Sequence, residues 1–211
     1  MKPRLLSRAD HLVSNHDPSF IGRLVLRNMV DKSPKVTVHG MSVINVLATD
    51  SGLAVATLAR LRLAIELIDR LAPRVGTRLR QDVVAILLTP AGGTHYNVGS
   101  RAIGLDVRWA MSNGVEQLAL TLVHEATHAR HRSMGVGKRI RDRDRRMEAH
   151  CIAQQIEFAK RLPPGPWEAP TLGALDTPWW TGRARAGRIE ELTRQQGISA
   201  WPFTWFARLR R

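Results

Sequence analysis

Apolar residues recur at two different spacings along this 211-residue chain, and the changes from one to the other mark out its elements. Between residues 35 and 47, Val36, Val38, Met41, Val43, Ile44 and Val46 gather around Gly40, the pattern of one or two short strands. From 53 to 71 the spacing becomes i, i+3, i+4 through Leu58, Leu61, Ile65, Ile68 and Leu71, which predicts a helix closed by Pro73. Residues 81–89 read as a strand, the Pro-Ala-Gly-Gly run at 90–93 as a turn, and 94–107 as one or two further strands broken near Gly99.

Two helices are expected next. Asn113 and Glu116 have the spacing of a capping box, and a helix can run from there to a stop at Gly135 or Gly137. Val115, Leu118, Ala119, Leu122, Ala126 and Ala129 form its apolar stripe, while Gln117, His124, His128 and His131 fall on the opposite side. A further helix is expected from about Asp144 to just before Pro163 and Pro164. Its stripe is Cys151, Ile152, Phe158, Ala159 and Leu162, with Glu148 in the middle of it and His150 and Glu157 on the far side. Such an element order suits a compact α+β protein better than a regularly alternating α/β sheet.

The chemistry concentrates on the first of these helices. Residues 124–128, His-Glu-Ala-Thr-His, fit the H-E-x-x-H pattern, in which two imidazoles one helical turn apart reach a single zinc ion and the glutamate beside them serves as general base. A chance match arises in about one shuffled chain in a hundred, so the mid-helix setting is what gives it weight. In this reading Glu125 takes a proton from the zinc-activated water and passes it to the leaving amine, which is peptide-bond hydrolysis.

A catalytic zinc usually takes three protein ligands. His131 shares the histidine side but lies roughly 10 Å along the axis from His124, too far for a common ion. Met134 occupies the position where the extended metzincin pattern needs its third histidine. Glu148 is the strongest candidate, because an ionised carboxylate on the apolar stripe of a helix is costly unless a cation or a set of donors meets it. The competing role for Glu148 is pairing with a nearby arginine. Cys151, alone in a helical stripe, reads as core.

His124-Glu125-x-x-His128 followed by a second helix bearing Glu148 resembles the gluzincin arrangement of metallopeptidases, over roughly residues 81–162. The resemblance implies a zincin-like domain with one zinc per chain held by His124, His128 and Glu148. It also implies a small sheet ahead of the zinc helix, whose edge strand near residues 94–107 holds the substrate backbone by β-augmentation. The Arg-Met-Glu-Ala-His-Cys run around Glu148 departs from the extended signature of the large thermolysin-like enzymes. Tyr96 is the one tyrosine available as an oxyanion donor, against its ordinary role in a strand.

Composition changes the picture in a few places. Lys and Arg number 32 against 18 Asp and Glu, a net charge of +14, which suits an acidic protein or peptide substrate and leaves nucleic acid possible, although no nucleic-acid-reading motif is present. The excess concentrates at 138–146 and 208–211. No apolar run is long enough to span a membrane, and residues 1–10 lack a secretory h-region. With a single cysteine the expected address is cytoplasmic, with export lacking a cleavable signal still open. Residues 1–162 are expected to form the catalytic domain. Residues 163–211, rich in Pro and carrying Trp179, Trp180, Trp201 and Trp205, are expected to form an extension docked on it. His11, His39 and His95 have no spacing partners and read as structural. The expected function is a zinc-dependent metallopeptidase. The rival readings are a zincin fold used for binding or regulation, and a basic nucleic-acid-binding protein with an accidental H-E-x-x-H.

Overall fold

A computed structural model describes residues 33–45, 51–89, 94–97, 101–135 and 143–172. It is a mixed α+β structure with one five-stranded sheet and five helices among those residues. The strands are β1 (Lys35–Val38), β2 (Met41–Asn45), β3 (Ala85–Thr89), β4 (His95–Asn97) and β5 (Ala102–Asp106), in the sheet order β1-β2-β3-β5-β4. β1 and β2 are an antiparallel hairpin, and the turn between them places His39 and Gly40 at φ 45° and 78°. Positive φ at both central residues is what a type I′ turn requires. The β2–β3 and β3–β5 pairs are parallel. All five β5 residues are buried, as expected of a strand covered on both faces. β4 pairs antiparallel with β5 and forms the edge.

The helices are α1 (Ser51–Leu71), α2 (Pro73–Asp82), α3 (Val107–Ser112), α4 (Val115–Ser133) and α5 (Arg143–Ala159). α1 and α2 make the crossover from β2 to its parallel neighbour β3. Side chains alternate across a strand, so Val43, Ile86, Leu88, Ile103 and Leu105 join the main core with Leu61, Ile65 and Ile68 of α1 and Leu118 and Leu122 of α4. Ile44, Ala85 and Ala102 make a smaller cluster on the opposite face. α4 is the hub, because α1, α2, α5 and β4 all pack against it. Leu118, Ala119, Leu120, Leu122, Val123, His124, Glu125, Ala126 and Ala129 are buried there.

Several boundaries differ from the sequence expectation. Gln81 and Asp82 belong to the end of α2, and the strand begins at Ala85. Pro73 ends α1 and also opens α2, where its missing N–H costs nothing. Asp106 leaves the sheet as an N-cap, accepting hydrogen bonds from Arg108 N (3.0 Å) and Trp109 N (3.1 Å), so α3 starts where a strand residue was expected. Asn113 does not cap α4. Its Nδ2 donates to Trp109 O at 2.8 Å, and Gly114 stands at the N-cap with no side chain to bond. α4 stops as expected, with Gly135 at φ 67°.

Asp69, Gly76 and Arg80 lock α1 to α2. Arg80 donates from Nη1 to Asp69 Oδ1 at 2.9 Å, from Nη2 to Asp69 Oδ2, and from Nε to His39 O at 2.7 Å. His39 Nε2 meets Glu66 Oε1 at 3.0 Å, a structural role. A Cβ at Gly76 would overlap Asp69 Oδ1, so Gly76→Ala must shift the carboxylate against the arginine. A loss of about 1–3 kcal/mol of stability is expected, read as a lower urea midpoint at unchanged slope.

Beyond α5, Glu168 N donates to Gln117 Oε1 at 3.0 Å, and Trp167 packs partly buried against the core. This first part of the C-terminal extension therefore returns to α4. Trp179, Trp180, Trp201 and Trp205 and the basic tail lie outside the described residues. So does most of the basic stretch at 138–146, of which Arg145 and Arg146 are exposed on α5. No helix among the described residues is long and apolar enough to cross a membrane.

Candidate metal centre

His124 and His128 lie one turn apart on α4 and lean to the same side. Their Nε2 atoms stand 3.0 Å apart, with ring centroids separated by 4.8 Å in an edge-on arrangement. The third group comes from α5, where Glu148 Oε2 lies 3.2 Å from His124 Nε2 and 3.3 Å from His128 Nε2. These three atoms form a nearly equilateral triangle. A tetrahedral zinc with bonds of about 2.0–2.1 Å spaces its ligand atoms about 3.3–3.4 Å apart, so the triangle has the size that such an ion needs.

The surroundings fit a cation as well. His124 and Glu148 are 8% and 3% exposed, and Glu148 Oε2 receives no hydrogen bond of normal geometry in spite of its two close neighbours. A buried carboxylate oxygen without directed donors is costly. A positive ion facing the three atoms removes that cost. Among the described residues no arginine pairs with Glu148; its ion-pair partners there are the two histidines.

The electrostatics show how tightly the groups are coupled. Burial pushes the Glu148 carboxyl up, but contact with His124 and His128 and their charge outweigh it and hold the group at about 2. For His124, burial pushes the imidazole down, and contact with Glu148, the charges of Glu125 and Glu148, and Gln155 together raise it above its usual value.

Three further residues meet the site, and sequence reasoning missed their roles. Gln155 Oε1 lies 3.0 Å from His124 Nδ1, while its Nε2 donates to Leu120 O at 3.0 Å. With the amide held in that way, Oε1 accepts the Nδ1 proton and leaves the Nε2 lone pair turned toward Glu148. The signal was the i+7 spacing from Glu148, which puts Gln155 on the same face of α5 two turns on. Cys151, one turn after Glu148, is buried with its ligand atom within 4.8 Å of those of His124 and His128, so these three residues make a group able to hold a metal ion. Burial, with the charges of Glu148 and Glu125, pushes its thiol far up and keeps it protonated.

Tyr96 contributes through its backbone. Its N–H donates to Glu125 Oε2 at 2.6 Å, which ties the buried glutamate to the edge strand β4. Its hydroxyl meets the Arg101 side chain, and burial raises its pKa against the opposing effect of Arg101. His131 does not join His124 and His128, since its ring meets His150 on α5. The His95 ring rests over Gly104, where a Cβ would come within 3.1 Å of it.

No protein-family model, curated protein or solved structure matches this chain.

Proposed function

We propose that this chain is a zinc-dependent metallopeptidase of the zincin kind, with His124, His128 and Glu148 as the ligands and Glu125 as general base and then general acid. The single observation that carries this reading is the triangle of 3.0, 3.2 and 3.3 Å made by His124 Nε2, His128 Nε2 and Glu148 Oε2. Zinc held there supplies Lewis acidity for a scissile carbonyl and lowers the pKa of water to about 7.

The chain's own groups do the rest. Glu125 follows His124 directly, and one of its carboxylate oxygens is anchored by the Tyr96 amide. That anchor fixes the direction in which the carboxylate faces, so it can take a proton from the attacking water and return it to the leaving nitrogen. β4 forms an edge of the sheet beside α4, so an extended peptide can add to it and present its backbone to Glu125. Gln155 sets the tautomer of His124. The basic balance of the chain favours an acidic peptide or protein as substrate, through steering. Profiling of peptides cut by the wild type and by Glu125→Gln tests the reading, which requires cleavage products that the variant fails to make.

Gln155→Ala should lower metal affinity by about 10–100-fold, the usual effect of losing the group that orients a ligating histidine, and should cost the metal-free protein about 1–3 kcal/mol, because the buried His124 Nδ1–H loses its acceptor. Competition with a chelator of known affinity measures it. An unaltered affinity would remove Gln155 from the site.

A second reading draws on Cys151. A closed site of His124, His128, Glu148 and Cys151 would be structural, with no position left for water. One observation weighs against it: the ligand atoms of His124, His128 and Cys151 spread over up to 4.8 Å, against about 3.5 Å expected between N and S on one tetrahedral zinc. Cobalt substitution separates the two readings. The open site gives visible d–d bands alone, whereas thiolate ligation adds a sulfur-to-cobalt charge-transfer band in the near ultraviolet.

A further inference from the structure

A second pair of imidazoles faces one another across the same two helices. His131 lies about 4.5 Å further along the α4 axis than His128, and its Nε2 is in direct contact with Nδ1 of His150 on α5. The ring centroids are 4.6 Å apart and the planes nearly perpendicular at 80°. The pairing resembles that of His124 and His128, with their centroids 4.8 Å apart and planes at 63°. The difference is access, because His150 is exposed and His131 only half-buried.

Packing does not explain the convergence. Two rings at a solvent-facing edge lose rotamer freedom by meeting, and between neutral imidazoles the return is a single hydrogen bond open to competition from water. If both were protonated they would repel. A metal ion uses both lone pairs at once. The remaining nitrogen of His150, Nε2, lies 3.4 Å from the Gln154 amide. Rotated by 180°, that amide offers Oε1 to an Nε2–H and leaves the His150 Nδ1 lone pair for a metal.

We infer that His131 and His150 form a second, solvent-facing site for a borderline transition-metal ion, completed by water, which clamps α4 to α5. Imidazole nitrogens suit Zn2+, Ni2+ and Cu2+. With two neutral protein ligands and no carboxylate, the ion binds more weakly and exchanges faster than at the first site. Because its ligands come from both helices, the occupied site adds stability through mass action. The assignment uses none of the residues proposed as zinc ligands or as general base.

Equilibrium dialysis of the chelator-stripped full chain against Zn2+ alone tests it, with the melting temperature of each stripped variant confirming that it folds. Wild type should take up two equivalents, one tight and one weaker. His131→Gln and His150→Gln should each lose the weaker equivalent and keep the tight one. His124→Gln/His128→Gln should keep the weaker equivalent and lose it when His131→Gln is added, which leaves the second site standing even where the first reading fails. Uptake of a single equivalent by wild type, or retention of the weaker equivalent in both His131→Gln and His150→Gln, overturns the inference.

Discussion

Glu125→Gln is expected to hold as much zinc as the wild type and to lose peptide hydrolysis by at least about 10²–10⁴-fold, the usual worth of a positioned general base. The amide keeps the shape of the carboxylate, and its oxygen can still accept the Tyr96 N–H that now reaches Glu125 Oε2 at 2.6 Å. Stability should therefore change little. The ability to take a proton from water is lost outright. Metal content by elemental analysis and turnover on a cleaved peptide are measured on the same preparation. Activity within a factor of a few of wild type would show that Glu125 only props up β4.

Glu148→Gln carries the second large effect, and it acts on the metal. A neutral amide is a poor ligand for zinc beside two imidazoles, so zinc content should fall from about one per chain to a small fraction of that, with activity falling in parallel. Removing one charge from a buried pair also leaves the partner uncompensated, so the stripped variant should be less stable than the stripped wild type.

The pH dependence gives this variant a distinct signature in chelator-treated protein. Glu148 titrates at about 2 in the fold against an ordinary value of 4.5. The folded chain thus binds that proton less readily than the unfolded chain does. Its contribution to stability is complete above pH 4.5 and is lost as pH falls toward about 2. His124 is raised above 6.5 in the fold, so its contribution is complete below pH 6.5 and is lost as pH rises through the folded value. Stability of the stripped wild type should crest between these limits, and Glu148→Gln should flatten the acid side. Urea midpoints from pH 2 to 8 measure both. An acid limb that survives the substitution unchanged would remove Glu148 from the coupled group.

The convergence of His124, His128 and Glu148 was legible because helical geometry converts sequence spacing into direction. Four-residue spacing put His124 and His128 together, and the apolar stripe of α5 exposed Glu148 as a carboxylate in need of a cation. Gln155 was visible in principle at i+7, but no rule requires glutamine there, and its choice depends on Leu120 O being within reach. The Tyr96 contact with Glu125 was not legible at all, because a backbone amide carries no sequence signal. The histidine side of α4, opposite its apolar stripe, calls for an element to cover it. Packing of α5 supplies that cover and buries His124.

The fold was less evenly readable. The hairpin around Gly40, α1, β3 from Ala85 and the stop of α4 follow from local chemistry. α2 was missed because its buried positions are only Gly76, Leu79 and Asp82, too few for a stripe, and the valines at 83 and 84 drew Gln81 and Asp82 into the strand. α3 spans six residues, shorter than any periodicity can show. The capping box failed because Asn113 found the carbonyl of Trp109 in the preceding turn, a local competition that Asn side chains often win.

Zinc content of the exhaustively dialysed full chain, measured for wild type and for His124→Ala/His128→Ala side by side, tests the central claim most directly. About one tightly held zinc per wild-type chain and almost none in the variant is the expected result; equal zinc in both proteins, or none in either, would contradict the account.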